Sequence, residues 1–434
     1  MALHTRFKRI LPSCFAVVIS SGTLSLAQPA PVAHPDGVAG SVTLAQAMEL
    51  ALSRSPILMA GEAAVEAAAG RGVQAGLRPN PELEIEVEDV GVTGDERGLD
   101  ASIFVVRAAQ TFERGGKRAK RRRAALIEVE LARWDAGTER LDLMAAVKTR
   151  FVDLLAAQER VRMVFAAHEL GSKVRNVAAE RVKSGKVSPL ELTKADVELT
   201  GRRVELRRAE RELSAARSAL ALLWNAPISE AGKLRAEGSI RDVPELPGLA
   251  ALEAALANNP DVARWPTEEE LAQAVVDQER AAPISDVTLS AAVAHERESG
   301  SEVVEFAVSV PLPLFDRNQG NIAAALAEQE GARQGQLAVA LALRAELAGE
   351  WQELQATKEE AASIENEMLP GARRAFEAAQ QGYRSGKFEY LDVLDAQQTL
   401  FEGEMQLLEA LSDLRQTAVR IERLVGGSLR SQGL

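Results

Sequence analysis

Two stretches of the chain carry an apolar residue at every seventh position. In the first stretch all five are leucine: Leu192, Leu199, Leu206, Leu213 and Leu220. The second stretch lies 201 residues later, and its five equivalent positions are all aliphatic: Val393, Leu400, Leu407, Leu414 and Ile421. A seven-residue apolar repeat is typical of α-helices that pack along a left-handed seam. Both stretches are therefore predicted to be coiled-coil helices.

Longer helical segments precede these two stretches. No proline occurs between Pro81 and Pro189, or between Pro313 and Pro370. Within the first interval, apolar residues mark two faces of a helix, which implies neighbours on both sides. A continuous helix over residues 116–181 would be about 100 Å long at 1.5 Å per residue.

Alternating segments lie upstream of each long helix. Four glutamates, Glu82, Glu84, Glu86 and Glu88, alternate with Leu83, Ile85 and Val87. In a strand this places the glutamates on one face and the apolar residues on the other. Strands are predicted at about residues 82–90, 101–110, 286–295 and 303–311, close to the length that crosses a bilayer. The alternative is a small soluble sheet with one wet face.

The chain is predicted to contain one unit in duplicate. Ser184-Gly185-Lys186 recurs as Ser385-Gly386-Lys387, and Phe112-Glu113-Arg114 recurs as Phe315-Asp316-Arg317. The repeats are assigned to residues 42–226 and 248–427, each a helix–hairpin–helix unit. Residues 227–247 are rich in proline and glycine and are predicted to be a linker, and residues 428–434 form a tail.

The N-terminus has the features of an export signal. Arg6, Lys8 and Arg9 precede an apolar run over residues 10–26, and Ser25-Leu26-Ala27 resembles a signal-peptidase site. Residues 1–27 are therefore predicted to be a signal peptide, followed by a linker over residues 28–41. No later run reaches the ~20 apolar residues of a spanning helix. If the mature chain crosses a membrane it must use strands, and four strands need partners from other chains to close.

Charge and composition exclude several other classes of protein. The net charge of −12 becomes about −15 without the leader, which disfavours binding to nucleic acid. The single cysteine, Cys14, lies in the leader, so no disulfide is expected. Residues 117–123 form a basic run, which we place at the membrane–water boundary facing anionic head groups. A solvated helix face is the alternative.

No enzymatic machinery is visible in the sequence. It has neither a Gly-rich phosphate loop nor a nucleophile elbow, and His34, His168 and His295 are isolated from one another. The methionines are scattered along the sequence, as expected of residues that fill gaps in a hydrophobic core. We therefore predict no catalytic residue, no cofactor and no stable metal site.

Over residues 42–427 this pattern resembles the TolC-like outer membrane efflux protein family. Two segments resemble its CzcC-like heavy-metal (cobalt-zinc-cadmium) branch: Leu77-Arg78-Pro79-Asn80-Pro81-Glu82-Leu83 and Gly115-Gly116-Lys117-Arg118. The resemblance implies a mainly α fold with a small β part. Three chains would form a twelve-stranded outer-membrane β-barrel, with four strands per chain, continuous with an α-helical barrel in the periplasm.

The resemblance also implies a function and partners. The chain would be the passive exit duct of a tripartite RND-type efflux system for heavy-metal cations. It would form a homotrimer in outer-membrane lipid and work with a periplasmic adaptor (membrane fusion) protein and an inner-membrane RND pump. A drug or solvent duct of the same fold is one alternative. A periplasmic adaptor with a coiled coil is another, although adaptors lack a duplicated amphipathic hairpin.

Residues 383–396 are similar to the family's periplasmic tip. The similarity implies that Asp392 and Asp395 are gate aspartates, that Tyr383 is a gate tyrosine and that Glu191 is an acidic partner. Phe388 stands where TolC itself has an arginine, so one gate bond between subunits is expected to be missing. The two aspartates could instead be acids that stabilise the start of a helix.

The glutamates of the first strand are predicted to line the lumen of the barrel. These are Glu82, Glu84, Glu86 and Glu88, and charge on the lipid face would be unfavourable.

Overall fold

The computed structural model describes residues 40–91, 93 and 98–427 of the 434-residue chain. The predicted signal peptide, most of the linker over residues 28–41, part of the first hairpin loop and the tail over residues 428–434 lie outside these residues.

Helices make up most of each repeat. The first repeat contains α1 (Leu44–Arg54), α2 (Pro56–Ala75), α3 (Lys117–Lys183) and α4 (Pro189–Ala221). Three short helices follow: α5 (Ile228–Ala231), α6 (Leu249–Ala255) and α7 (Pro260–Ala263). The second repeat continues with α8 (Trp265–Ala281), α9 (Gln319–Ser363), α10 (Leu369–Arg384) and α11 (Tyr390–Leu424). None of these described helices has a stretch both long and apolar enough to serve as a membrane span.

The longest helix agrees with the prediction from its two apolar faces. α3 has 67 residues and is therefore about 100 Å long. It ends at a tight turn in which Gly185 has φ +71°, and Ser188 then accepts a hydrogen bond from the Leu190 N–H at the start of α4. The second repeat has the same turn, where Gly386 has φ +75°. A left-handed residue in each turn explains the glycine of both Ser-Gly-Lys motifs.

The equivalent long helix of the second repeat contains an irregular turn. α9 continues through a π-helical segment, Ile364–Met368, directly into α10. Pro370 follows this segment, and proline cannot donate the hydrogen bond that a regular helix interior requires. A π-bulge beside it lets the helix pass the proline instead of ending there.

Four strands form one antiparallel sheet. They are β2 (Glu82–Glu88), β3 (Ile103–Phe112), β5 (Val287–Glu296) and β6 (Ser301–Ser309). The order in the sheet is β2-β3-β5-β6, so the contact between β3 and β5 joins the two repeats. The expected fold class is confirmed: the chain is mainly α-helical with four strands in one small sheet.

The segment between the repeats packs against the helices. β1 (Ser41–Val42) pairs in parallel with β4 (Arg235–Ala236), a short contact that the sequence did not indicate. Leu234 and Ala236 are only 2% and 4% exposed and belong to the main core, together with residues of α1, α3, α4 and α11. Residues 227–247, predicted as a linker, are thus part of the folded body.

Candidate functional site

The turn between α3 and α4 and the turn between α10 and α11 are joined through Tyr383. Its hydroxyl donates to Glu191 Oε2 over 3.3 Å, and its carbonyl oxygen accepts from Arg181 Nη1 at 2.8 Å. The Arg181 guanidinium also lies 4.2 Å from the centre of the Tyr383 ring. The structure therefore brings together two of the predicted gate residues, Tyr383 and Glu191, which are far apart in sequence. Arg181 is a third member that the sequence did not indicate.

Burial keeps the tyrosine at this tip protonated. Tyr383 is 3% exposed, and this burial raises the pKa of its hydroxyl, as does the negative charge of Glu191. Burial also raises the pKa of Tyr390, whose ring centre is 5.9 Å from that of Tyr383. These are the two tyrosines of the chain, so both lie in one small cluster. A protonated Tyr383 acts as a hydrogen-bond donor to Glu191 across the physiological pH range.

Asp392 and Asp395 lie at the start of α11 and are exposed. The Asp392 carboxylate accepts a hydrogen bond from the Glu389 N–H at 2.8 Å and completes a capping box with the Glu389 side chain. No hydrogen bond among the described residues joins either aspartate to Tyr383 or Glu191. Asp392 thus has the role of a helix-start acid. Its assignment to a gate remains a prediction.

Phe388 closes its turn by apolar packing. A Cβ added at Gly382 would lie 2.1 Å from Phe388 Cδ2, so the ring rests directly on the backbone of α10. The N–H groups of Lys387 and Phe388 both donate to the Gly382 carbonyl, at 2.8 and 3.3 Å. A side chain at position 382 would therefore displace the Phe388 ring from this position.

The two faces of the sheet differ in chemistry. The register places Glu82, Glu84, Glu86 and Glu88 opposite Ala109, Arg107, Val105 and Ile103. Arg107 Nε is 3.3 Å from Glu84 Oε2, so these side chains share a face. The other face is almost entirely apolar, and Leu83, Ile85 and Phe306 on it are 70%, 71% and 81% exposed. An exposed apolar face of this kind marks contact with another apolar phase.

Ion pairs tie the base of the sheet to the helices. Lys117 Nζ lies 3.0 Å from Asp286 Oδ2, and the Arg114 N–H donates to the same carboxylate at 2.9 Å. Burial alone would raise the pKa of Asp286, but these two contacts outweigh it and hold the pKa below its usual value. Arg121 forms two hydrogen bonds to Glu113, at 2.6 and 3.2 Å. Lys117 and Arg121, two members of the basic run over residues 117–123, are thus paired with acidic residues of the same chain.

Side chains that could coordinate a metal are dispersed in this fold. In the described ranges, no group of three or more His, Cys, Asp or Glu side chains is arranged to hold a metal ion.

Comparison with known proteins identifies the family. The model of a family described as outer membrane efflux protein matches residues 47–226 and 251–427. The chain is 34% identical over 422 residues to the cobalt-zinc-cadmium resistance protein CzcC of Cupriavidus metallidurans, covering 96% of this chain and 99% of that protein. It is 27% identical to the nickel and cobalt resistance protein CnrC of the same organism, over 67% of this chain and 68% of that protein.

A solved structure shares the fold. The structure of CusC, described in connection with folding and transmembrane channel formation, superposes with a TM-score of 0.76 at 18% sequence identity. The match covers 93% of this chain and 98% of that one.

Proposed function

This chain belongs to the outer membrane efflux protein family, and we propose that it is the exit duct of a tripartite RND-type system that exports heavy-metal cations. It is an outer-membrane efflux channel that extends into the periplasm. The proposed cargo rests on one observation above all, the 34% identity to a cobalt-zinc-cadmium resistance protein over 96% of the chain. We propose a passive duct with no catalytic step, whose energy comes from the inner-membrane pump through a periplasmic adaptor.

A homotrimer is the assembly that suits the sheet. Within one chain the outer edges of β2 and β6 have no strand beside them among the described residues. Unpaired backbone groups are unfavourable in lipid, so the sheet must close with other copies. Two four-stranded copies would give eight strands, whose interior side chains fill. Three copies give twelve strands and leave a lumen.

Each face of the sheet has the chemistry for one side of such a barrel. The glutamate face suits a water-filled lumen that conducts cations, and the apolar face of Leu83 and Ile85 suits lipid. An arginine at mid-depth on the lipid face would destabilise the barrel by about 2–4 kcal/mol, and a glutamate there by less. The face that carries Glu84 and Arg107 is therefore assigned to the lumen.

The opposite end of the molecule is the proposed gate. In a trimer, Asp392 and Asp395 would each form a ring of three carboxylates, one helical turn apart. Rings of carboxylates in a constriction favour cations over anions. The hydrogen bond between Tyr383 and Glu191 would hold neighbouring helix pairs together in the closed state.

Metal resistance tests the proposal directly. A strain that lacks this chain but retains its pump and adaptor should become more sensitive to zinc, cobalt and cadmium, and the intact gene should restore growth. Tolerance of toluene and of hydrophobic dyes serves as the control, because loss of a drug or solvent duct would reduce that tolerance and leave metal sensitivity unchanged. Unchanged metal sensitivity together with lost solvent tolerance would show that the cargo is wrong although the duct is right.

A further inference from the structure

A basic cavity lies away from both the sheet and the tip. It has a volume of about 780 Å³, is open to solvent, and is lined by α3, α4 and the segment that contains β4. Four arginines and two glutamates contribute to its lining: Arg162, Arg217, Arg235, Arg241, Glu159 and Glu237. An excess of arginine is unexpected in a chain whose net charge is −12.

Hydrogen bonds from α3 and α11 hold one wall of this cavity in place. The Gln158 side chain brackets Ala236 in β4, donating to its carbonyl at 3.0 Å and accepting from its N–H at 2.8 Å. Arg415 Nη1 of α11 donates to the Ser239 carbonyl at 2.6 Å. Three hydrogen bonds from two helices thus fix the loop that carries Arg235 and Arg241. A cavity with fixed walls binds a ligand without the entropic cost of ordering a loop.

Two of the four arginines already have acidic partners. Arg162 Nε donates to Glu159 at 2.9 Å, and this contact lowers the pKa of the Glu159 carboxyl, which keeps the pair ionised. Arg241 forms an ion pair with Glu365 of the π-helical segment. Neither guanidinium needs an additional anion to balance its charge.

The other two arginines are not balanced in this way. Within the described residues, no salt bridge involves Arg217 or Arg235. The Nε atom of Arg217 is buried without a hydrogen-bond partner. A buried donor that bonds to nothing is unfavourable, and it is more so when it belongs to a charged group. The guanidinium of Arg217 also contributes to the lining of the cavity, where no acidic side chain of the described residues forms a salt bridge with it.

We propose that this cavity binds a multivalent oxyanion, a phosphate or a polycarboxylate, between Arg217 and Arg235. The planar guanidinium group matches the paired oxygens of both chemical groups. The volume is that of a small-molecule site rather than of a bare ion, so the anion enters with water or as part of a larger molecule. The bound anion links α4 to the segment between the repeats.

Thermal unfolding of the full-length protein in detergent tests this assignment. The probes are inorganic phosphate and citrate at millimolar concentration, with chloride at equal ionic strength as the reference. A site-bound anion should raise the unfolding midpoint by at least about 2 °C and should saturate with concentration. Stabilisation by exclusion of the salt from the protein surface would instead grow steadily. The probe that saturates at lower concentration shows which of the two chemical groups, phosphate or carboxylate, the cavity prefers.

Variants assign the effect to this cavity. Arg217→Gln should weaken the apparent affinity about 10-fold or more, because it removes a charge-assisted hydrogen bond. Arg235→Gln should do the same at an exposed position of β4, whose pairing with β1 uses backbone atoms that the substitution retains. The control is Arg208→Gln on α4, which removes an exposed arginine paired with Glu212. The proposal is overturned if neither anion gives a saturable shift, or if Arg208→Gln and the two cavity variants lose the shift equally.

Discussion

Replacing Tyr383 by phenylalanine removes one atom from the proposed gate and little else. The substitution deletes the hydroxyl that donates to Glu191 and keeps the ring on which the Arg181 guanidinium lies. The hydrogen bond between the Tyr383 carbonyl and Arg181 is also retained, because it involves the backbone. Any change in gating can therefore be attributed to the bond with Glu191.

The expected magnitude follows from the geometry of that bond. At 3.3 Å it is long, and Glu191 is only partly buried, so we assign it about 1 kcal/mol, at the low end for a bond to a charged group. In a trimer the closed state contains three such bonds and opening would break all of them. Their loss amounts to about 3 kcal/mol, which shifts the ratio of open to closed channels about 100-fold.

Single-channel recording in planar bilayers measures this ratio. Tyr383→Phe should open far more often than the natural protein at neutral pH, with the same conductance once open. The matched control is Tyr390→Phe, because Tyr390 is equally buried and its hydroxyl bonds to no other described residue. Equal open probability in the natural protein and in Tyr383→Phe would refute the assignment of this bond to the gate.

The pH dependence supplies an independent check on the same bond. Burial and Glu191 raise the pKa of Tyr383, so the protonated hydroxyl stabilises the closed state. This contribution is fully present below the usual tyrosine pKa of about 10 and is lost as pH rises through the raised value. The natural protein should therefore open in strong alkali, and Tyr383→Phe should show no such transition. In Tyr390→Phe, Tyr383 is the one remaining tyrosine of the chain, so the tyrosinate absorbance of that variant follows the same event.

Three further predictions concern the remaining sites. The double variant Asp392→Ala, Asp395→Ala should lose cation selectivity and block by trivalent cations in bilayer recordings, and unchanged selectivity would leave both as helix-start acids only. With Glu84→Cys and Ile85→Cys, a membrane-impermeant thiol reagent should label only the first, and the reverse pattern would contradict the assignment of the lumen face. Asp286→Asn should lower stability by about 1 kcal/mol at neutral pH. Because the Asp286 pKa is depressed, this contribution is present above the usual carboxyl pKa and is lost as pH falls, so the variant and the natural protein should converge in acid thermal melts.

Periodic patterns located most of the regular structure. The leucines spaced by seven lie in α4, the aliphatic copies lie in α11, and the long proline-free interval contains α3. Strict alternation after Pro81 coincides with β2. These signals work because each extends over many residues and reports directly which face is apolar. β3 is less regular, and it lies two residues further along the chain than the predicted range of 101–110.

Contacts made by very short elements, or by residues far apart in the chain, produce no periodic pattern in the sequence. β1 and β4 have two residues each, too few to establish a period. The π-helical segment before Pro370 depends on how one turn accommodates one proline, which composition does not report. Arg181 resembled any basic residue near a helix C-terminus, where such charges are favourable in isolation. Its contact with Tyr383 depends on packing between helices that are 202 residues apart in the chain.

The strand order extends the argument from one chain to the assembly. β3 is the closing strand of the first hairpin and β5 the opening strand of the second, and they pair antiparallel along their whole length. β6, like β3, is the closing strand of a hairpin, and β2, like β5, is the opening strand of one. The two outer edges of the sheet therefore match the two edges that pair between β3 and β5. Placing β6 of one copy beside β2 of the next repeats the β3–β5 contact and preserves antiparallel alternation. Duplication of the hairpin unit thus provides, within a single chain, the contact that copies need in order to close a barrel with an even number of strands.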